Sequence, residues 1–376
     1  MRVRLGNYIK EYSVRNKAGE NIPVYSVTNT QGFCRDYFGK EVASKDKSTY
    51  KIVPKGYFAY NPSRINVGSV DWQRNEDRVI VSPLYNVFSV ANELNQQYLY
   101  YYLKSDITLH RIKSIATGSV RDNLKFDMLS EFKINLPNVN KQISIVNILD
   151  KIGMLIRKQQ TEIEKLDDLI KSRFVEMFGD ENNSKKWDVV NVEDVADVQV
   201  GVVIKPSQYY TDEGNGIRAF RSLNIGAGYI KDNDWVYFTE EGHQKNSKSI
   251  LKVNDLLIVR SGAPGTACVV TEEYAGYNAI DIIIAHPNCE KVNPYYLCTF
   301  TNMPHGKKQI EEGTGGAAQQ HFNVGKYNKL HLMLPPKELQ DEFVAFVNQI
   351  DKSKLLEWIN LAKKSFDLLH ERICIW

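Results

Sequence analysis

The feature that most constrains this chain is an internal repeat whose matching segments lie 198 positions apart. The segment Ile134-Asn135-Leu136-Pro137 corresponds to Leu332-Met333-Leu334-Pro335, and the tyrosine–leucine segment ending at Leu99 corresponds to the one ending at Leu297. The same offset holds without a gap over about sixty positions. We therefore interpret the chain as a tandem duplication of a globular domain followed by a long helix.

The first long helix is predicted from Asn140 to Phe178, where apolar residues recur at alternating steps of four and three. These seam positions are Ile145, Leu149, Ile152, Ile156, Ile163, Leu166, Ile170 and Met177, with polar Gln159 and Arg173 at the other two. Gly179 is a typical C-terminal stop. A helix of about 38 residues is about 57 Å long, so it is expected to project as one strand of a coiled coil. Gln159 either fixes the register or is a tolerated polar residue.

A second long helix is predicted from Pro335-Pro336 to the C-terminus. Its seam begins at Phe343, Val347 and Ile350 and then shifts by one residue. It continues through Leu355, Ile359, Ala362, Phe366, Leu369 and Ile373. We expect the shift to change the supercoil locally without breaking the helix. Two long helices of equal length are expected to pack against each other; the alternative is that each packs separately on a globular domain.

The segment before each helix is rich in Tyr, Val, Ile, Ser, Asn and Gly, with strand-like runs such as Tyr57-Phe58-Ala59-Tyr60 and Asp255-Leu256-Leu257-Ile258-Val259. Turn signals separate the runs. The predicted fold class is α+β: two similar mixed α/β domains with strongly bent sheets, joined by two long helices that pack as an antiparallel coiled coil. The predicted boundaries are 1–139 and 180–336 for the domains, and 140–179 and 337–376 for the helices.

Composition excludes several classes of protein. Hydrophobic residues make up 43% and charged residues 25% of the 376, which is typical of a soluble globular protein. No apolar run is long enough to span a bilayer, and the N-terminus has no apolar signal region, so a cytoplasmic location is expected. The five cysteines are scattered, which argues against a disulfide framework or a zinc site. The net charge of +3 identifies no partner.

No catalytic site is predicted. The sequence contains no phosphate-binding loop, no strand-linked dinucleotide motif and no nucleophile elbow, and its seven histidines show no metal-binding spacing. The segment Tyr60-Asn61-Pro62-Ser63-Arg64 partly matches the Asn/Asp-Pro-Pro-Tyr/Phe motif of amino-methyltransferases. Ser63 and Arg64 replace the second proline and the aromatic residue, so the platform for a flipped base is lost and a structural turn is favoured. We predict no cofactor and no metal.

Polar glycine-rich loops occupy matching places in the two repeats and are candidates for contact with DNA. In the first repeat the candidates are Asn61, Ser63, Arg64, Asn66, Ser119, Arg121, Asn123 and Lys125. In the second repeat they are Arg260, Ser261, Thr266, Gln319, Gln320, His321 and Asn323. Arg suits guanine and Asn or Gln suits adenine in the major groove, whereas Ser, Thr and Lys suit phosphates. The alternative is that these are ordinary polar surface loops.

The whole arrangement resembles the specificity subunit of type I restriction–modification systems. The resemblance is carried by the run from Lys55 to Ser69, by Ser82-Pro83-Leu84-Tyr85 and by the run from Asp255 to Gly262. The junctions Leu136-Pro137 with Gln142, and Leu334-Pro335 with Gln340, also look like those of the family. One departure is that the second helix has the phase shift and more lysines beside its seam, namely Lys354, Lys363 and Lys364.

The resemblance implies a role without catalysis by this chain. Two target-recognition domains each read one half of a bipartite site in double-stranded DNA, and the helices set the spacing. Methyltransferase subunits dock on the specificity subunit and methylate adenine with S-adenosylmethionine, and restriction subunits can join them. The main alternative is a coiled-coil scaffold whose globular ends bind proteins. A stand-alone methyltransferase or a fused restriction–modification enzyme is disfavoured because no cofactor loop is present.

Overall fold

The computed structural model describes residues 2–35, 46–116, 123–314, 322–350, 356 and 358–367. Its residues group into two compact units. The first unit consists of residues 1–162 and 353–376, and the second unit of residues 163–352. The unit boundary falls inside the first long helix, so our four predicted segment boundaries stay a prediction.

The first unit contains a short β-rich domain and the start of the long helix. Its strands are β1 (Arg2–Arg4), β2 (Ile9–Glu11), β3 (Ser26–Thr28), β4 (Gly32–Cys34), β5 (Lys51–Pro54), β6 (Phe58–Tyr60), β7 (Val70–Trp72), β8 (Arg78–Val81) and β9 (Asn86–Val90). Next come the helices α1 (Gln96–Lys104), α2 (Asp106–Ala116) and α3 (Phe126–Ser130), strand β10 (Lys133–Asn135), and α4 (Val139–Phe178), which continues into the second unit. The central antiparallel sheet has the order β2-β9-β6-β7.

The second unit repeats this plan with an additional mixed sheet. Its strands up to the first helix are β11 (Val189–Asn191), β12 (Ala196–Val200), β13 (Tyr210–Thr211), β14 (Ile217–Phe220), β15 (Ile225–Gly226), β16 (Tyr229–Ile230) and β17 (Val236–Phe238). There follow α5 (Glu240–Lys245), β18 (Leu256–Val259), β19 (Ala267–Val269), β20 (Asn278–Ala279), β21 (Ile282–Pro287), α6 (Pro294–Asn302), α7 (Pro304–Thr314), α8 (Val324–Asn328), β22 (His331–Met333) and α9 (Lys337–Gln349). The sheet β12-β21-β18-β19 corresponds to the central sheet of the first unit, and β13-β17-β14-β20 is the additional one.

Strand register shows that the two central sheets are equivalent. Phe58 lies opposite both Phe88 and Trp72 in the first unit. Leu256, 198 positions after Phe58, lies opposite both Ala285 and Val269 in the second. The mixed α/β character and the duplication that we predicted from the sequence are therefore confirmed at the level of strand pairing.

Hydrogen bonds at the junction of domain and helix repeat at the same offset. Tyr98 and Tyr296 are buried, and their hydroxyls donate to the carbonyls of Asn135 (2.9 Å) and Met333 (2.8 Å). Such bonds satisfy polar groups that burial has removed from water.

A buried glutamine at the start of each long helix makes a second matching set of bonds. The Gln142 amide accepts from Asn95 N (2.8 Å) and donates to the carbonyls of Glu93 and Pro137 (both 2.8 Å). Gln340 accepts from Asn293 N (2.8 Å) and donates to Pro335 O (2.8 Å). Each glutamine therefore ties the first turn of its helix to the domain before it.

The helix α4 confirms the predicted first long helix. It has 40 residues, and Gly179 ends it with a φ of 91°. At 1.5 Å per residue, 40 residues span about 60 Å. Each of its ten predicted seam positions is buried or half-buried. In the first unit Val146 and Leu149 enter the core, and in the second unit Phe174 and Phe178 do so.

The predicted unbroken second helix is wrong. Helix α9 ends at Gln349, where Ile350 has a non-helical ψ of 84°, and the chain is helical again at residues 358–367. The break coincides with the shift in the apolar seam. A seam shift of one residue rotates the apolar stripe by about 100° around the helix axis. Without the shift, Lys354 would lie in the apolar face. A regular helix cannot present both stripes to one partner, which accounts for the interruption.

Within each unit, part of the C-terminal region packs near α4. In the second unit the Phe343 ring centroid lies 5.4 Å from those of Phe174 and Phe178. In the first unit Phe366 packs against the same core as Ile145, and its ring centroid lies 6.0 Å from that of Tyr101. The antiparallel coiled coil stays a prediction.

Two findings concern predicted absences. None of the helices in the described part of the chain is long and apolar enough to cross a membrane. Cys34, Cys268, Cys289 and Cys298 are free thiols, and Cys374 lies outside the described residues.

Candidate nucleic-acid interface

The candidate residues closest to the sheets lie in two equivalent hairpin loops. The first hairpin loop, residues 61–69, joins β6 to β7, and the second hairpin loop, residues 260–266, joins β18 to β19. Each loop follows an inner strand and lies at the equivalent end of its central sheet. The sheet thus positions the loop, as is common where loops carry function.

The second group of candidates lies between α2 and α3 and between α7 and α8. We call these segments the return loops; they comprise residues 117–125 and 315–323. Residues 117–122 and 315–321 lie outside the described part of the chain. The ends of both loops are described. Leu124 N donates to Pro62 O at 3.1 Å, and Phe322 N, 198 positions later, donates to Arg260 O at 3.0 Å. In both units, therefore, the end of the return loop is bonded to the start of the hairpin loop.

The first hairpin loop keeps an exposed cation. The Asn61 side-chain oxygen accepts from Ser63 N (3.1 Å) and Ser63 Oγ (2.9 Å), which closes a tight turn. Arg64 is exposed, and among the described residues its guanidinium makes no ion pair. Asn66 is half-buried. Asn61 and Ser63 therefore shape the loop, while Arg64 is presented to solvent.

The second hairpin loop uses its arginine differently. The Arg260 side chain is only 16% exposed and forms an ion pair with Asp281. Its Nε donates to Phe322 O at 3.2 Å. Arg260 therefore holds the hairpin loop against the return loop and the start of β21, which is a structural role that the sequence analysis did not anticipate.

The other described residues of the second hairpin loop also shape it. Thr266 Oγ1 donates to Ala263 O at 2.9 Å, and Ser261 is half-buried. Gly265 has a φ of 80°, and a Cβ there would come within 2.5 Å of Ile310 Cδ1. The positive φ favours glycine, and a Cβ there would force the Ile310 side chain to move.

The remaining candidates differ in accessibility. Asn323 is exposed and caps α8, since its side chain accepts from Lys326 N at 3.0 Å. At the equivalent place Lys125 is exposed and makes no capping bond, and Asn123 is half-buried. Ser119, Arg121, Gln319, Gln320 and His321 lie outside the described residues.

Two further segments lie at the end of the sheet that carries the hairpin loop, and neither was among the predicted site residues. The turn Ser82-Pro83-Leu84-Tyr85 precedes β9, whose Asn86 lies opposite Tyr60. The Tyr85 hydroxyl accepts from Val27 N at 3.4 Å. Burial raises the pKa of Tyr85, so its hydroxyl stays protonated at neutral pH. In the second unit residues 201–205 follow β12 at the corresponding edge.

The side chains at the end of each central sheet that carries the hairpin loop are of the types that bind nucleic acid. Among the described residues no group of three or more His, Cys, Asp or Glu side chains could hold a metal ion. An exposed guanidinium, lysines, amides and hydroxyls beside glycine turns can bind phosphates and base edges.

Comparison with known proteins identifies the family. The model of the type I restriction modification DNA specificity domain matches residues 4–166 and again 184–361. The MjaVIII specificity subunit of Methanocaldococcus jannaschii, a type I restriction enzyme component, is 24% identical over 296 residues. That alignment covers 72% of this chain and 68% of the relative.

Solved structures show the same fold. The type I restriction–modification S subunit of M. genitalium matches with a TM-score of 0.54 at 14% identity, covering 100% of this chain and 96% of that one. A chain from a study of complex assembly and conformational transition in a type I restriction–modification system matches with a TM-score of 0.52 at 16% identity, covering 99% and 97%. The two family matches fall on the two repeats, each with its sheet, hairpin loop and helix. The chain belongs to the type I restriction–modification DNA specificity family, as a specificity subunit without catalytic function of its own.

Proposed function

We propose that each repeat reads one half of a bipartite target in double-stranded DNA. Residues 1–139 and 180–336 are the two target-recognition domains. The long helix of residues 140–179 and the helical segments within residues 337–376 set the spacing between the halves as an antiparallel pair. The candidate contacts are the hairpin and return loops described above. Arg64 is the candidate base reader of the first domain, whereas Asn61, Ser63, Arg260 and Thr266 position the loops.

One observation carries this proposal. The bond from Leu124 N to Pro62 O recurs 198 positions later as that from Phe322 N to Arg260 O. The same two-loop construction is thus built twice, yet the side chains it presents differ between the repeats. Identical scaffolds with different side chains are what two readers of different sequences require, because base identity is read by side-chain donors and acceptors.

The proposal assigns the chemistry to other subunits. Methyltransferase subunits that bind S-adenosylmethionine dock on this chain and methylate adenine, and restriction subunits complete a nuclease where they are present. A cytoplasmic location follows from this role, because the complex must reach the genome. The chain itself needs no cofactor.

A selection experiment tests the proposal. The chain, assembled with its methyltransferase subunits, is incubated with random-sequence duplexes, and the bound duplexes are sequenced. We expect two short conserved blocks separated by an unconserved gap of fixed length. Affinity should fall steeply with added salt, because phosphate contacts release counterions. A pool that shows no enrichment, with binding insensitive to salt, would instead support a protein-binding scaffold.

A further inference from the structure

The most exposed large apolar side chains of the described chain lie at the edges that carry the hairpin loops. Leu84 in the first unit and Ile204 in the second are each 79% exposed. Single exposed apolar residues are common on protein surfaces, so exposure alone assigns them no role. Their position in the fold is what distinguishes them.

Leu84 is held beside the first hairpin loop. It lies in the turn before β9, where Tyr85 N donates to Ser82 O at 3.1 Å. Asn86, two residues after Leu84, lies opposite Tyr60, the last strand residue before the first hairpin loop. Lys51 Nζ donates to Tyr85 O at 2.7 Å and fixes the turn from the other side. An exposed isobutyl group is thus presented at the same end of the sheet as the exposed Arg64 guanidinium.

Ile204 lies at the matching end of the central sheet in the second unit but belongs to another segment, which follows β12. Val202 N donates to Ala279 O (2.8 Å) and Asp281 N donates to Val202 O (3.0 Å), so this segment is bonded to the residues before β21. Asp281 in turn holds Arg260 of the second hairpin loop. Lys205, with a φ of 43°, turns the chain away directly after Ile204.

The two repeats therefore place an exposed apolar side chain at the end of the central sheet that carries the hairpin loop, but they take it from different segments. By strand register Asp281 occupies the place of Leu84, because Asn86 and Ile283 are the matching residues opposite Tyr60 and Ile258. Where the first repeat has an exposed leucine, the second has the partner of Arg260 and uses Ile204 instead. A difference of this kind fits residues that define sequence preference better than residues that maintain the fold.

In the major groove of DNA the edge of a base pair offers one apolar group, the C5 methyl of thymine. We propose, resting on the DNA-reading function above, that Leu84 and Ile204 are specificity-determining residues. Each contacts a thymine methyl group in the half-site that its own domain reads. Polar neighbours such as Arg64 read acceptors on adjacent base pairs.

Deoxyuridine substitution tests this contact, because deoxyuridine pairs like thymidine and lacks only the methyl group. The assembled complex is titrated with its selected duplex and with duplexes in which single thymines are replaced. At one position in the first half-site we expect binding to weaken about fourfold, the value of one methyl group removed from water. Leu84→Ala should bind the two duplexes equally, and Leu84→Met should restore the preference. Ile204→Ala should show the same pattern in the second half-site only, so each variant is the control for the other.

Several outcomes would overturn the inference and leave the proposed function intact. The first is that the selected half-sites contain no thymine. The second is that deoxyuridine at each thymine position leaves wild-type affinity unchanged. The third is that the fold-losses of affinity caused by Leu84→Ala and by deoxyuridine multiply, which would mean that the two changes act independently. In each case the complex would still prefer the selected duplex to a scrambled one. Failure of that preference would count against the proposed function itself.

Discussion

Two arginines of similar sequence context have opposite environments. Arg64 is exposed in the first hairpin loop, whereas Arg260 is mostly buried between Asp281 and Phe322 O. Both were candidates because Arg in a glycine-rich loop suits guanine recognition. Sequence alone could not separate them, since the ion pair that restrains Arg260 joins residues 21 positions apart.

Replacement of the two arginines should therefore have different consequences. Arg64→Ala should weaken binding to the first half-site by about 1–3 kcal/mol and leave the free energy of unfolding unchanged. Arg260→Ala should lower the free energy of unfolding by about 1 kcal/mol, because the Phe322 carbonyl loses its donor, whereas the half-exposed Asp281 carboxylate can be solvated. Titration with half-site variants and urea unfolding measure the two effects.

Arg64→Lys is the matched control for the mode of binding. It preserves the charge but loses the bidentate fork. If Arg64→Lys restores full affinity, Arg64 contacts phosphate and does not read a base.

The buried glutamines at the helix junctions allow a second prediction. Gln142→Leu has a similar volume but leaves Asn95 N and the carbonyls of Glu93 and Pro137 without partners. We expect the free energy of unfolding to fall by about 2 kcal/mol or more. Chemical denaturation checks this, with exposed neighbour Lys141→Ala as the control. An equal effect of both changes would show that Gln142 makes no special contribution.

At the scale of elements, the helix α4 was predictable because its apolar spacing persists over 40 residues. The end of α9 was not predictable in the same way. A seam shift is compatible with a bent, underwound or interrupted helix, and the choice depends on the surfaces it packs on. Phe343 packs within the second unit and Phe366 within the first. The separate docking of these two stretches favours an interruption between them.

The role of the helices as a spacer leads to a third prediction. One heptad inserted into α4 between Glu162 and Ile163, together with seven residues inserted between Lys352 and Ser353 after the end of α9, adds length at the boundary between the compact units. Seven helical residues add about 10.5 Å, or about three base pairs. Selection from random duplexes should return the same two blocks with a gap longer by about three base pairs.

Insertion in one helix alone is the control for this experiment. It makes the two spacer segments unequal in length. We expect it to lower the affinity for DNA without producing a defined longer gap in the target. An unchanged gap after the double insertion would contradict the spacer role.

The duplication of the chain could be predicted from the sequence. Its consequences for the geometry of the candidate site could be predicted only in part. The constant offset located the hairpin and return loops in both repeats. It did not show that Leu124 and Phe322 bond them together, because such backbone contacts depend on tertiary packing and not on residue type. It gave no reason to select Leu84 and Ile204, since an exposed apolar residue has no distinguishing sequence pattern.

The proposed reading of two half-sites by two domains of one chain can be tested in cells. Methylated adenines are mapped across the genome in cells with this chain, without it, and with Arg64→Ala. We predict a bipartite motif with a fixed gap that disappears without the chain, and a relaxed preference in one half only for Arg64→Ala. A methylation motif that persists without the chain, or one that is a single uninterrupted block, would contradict the account.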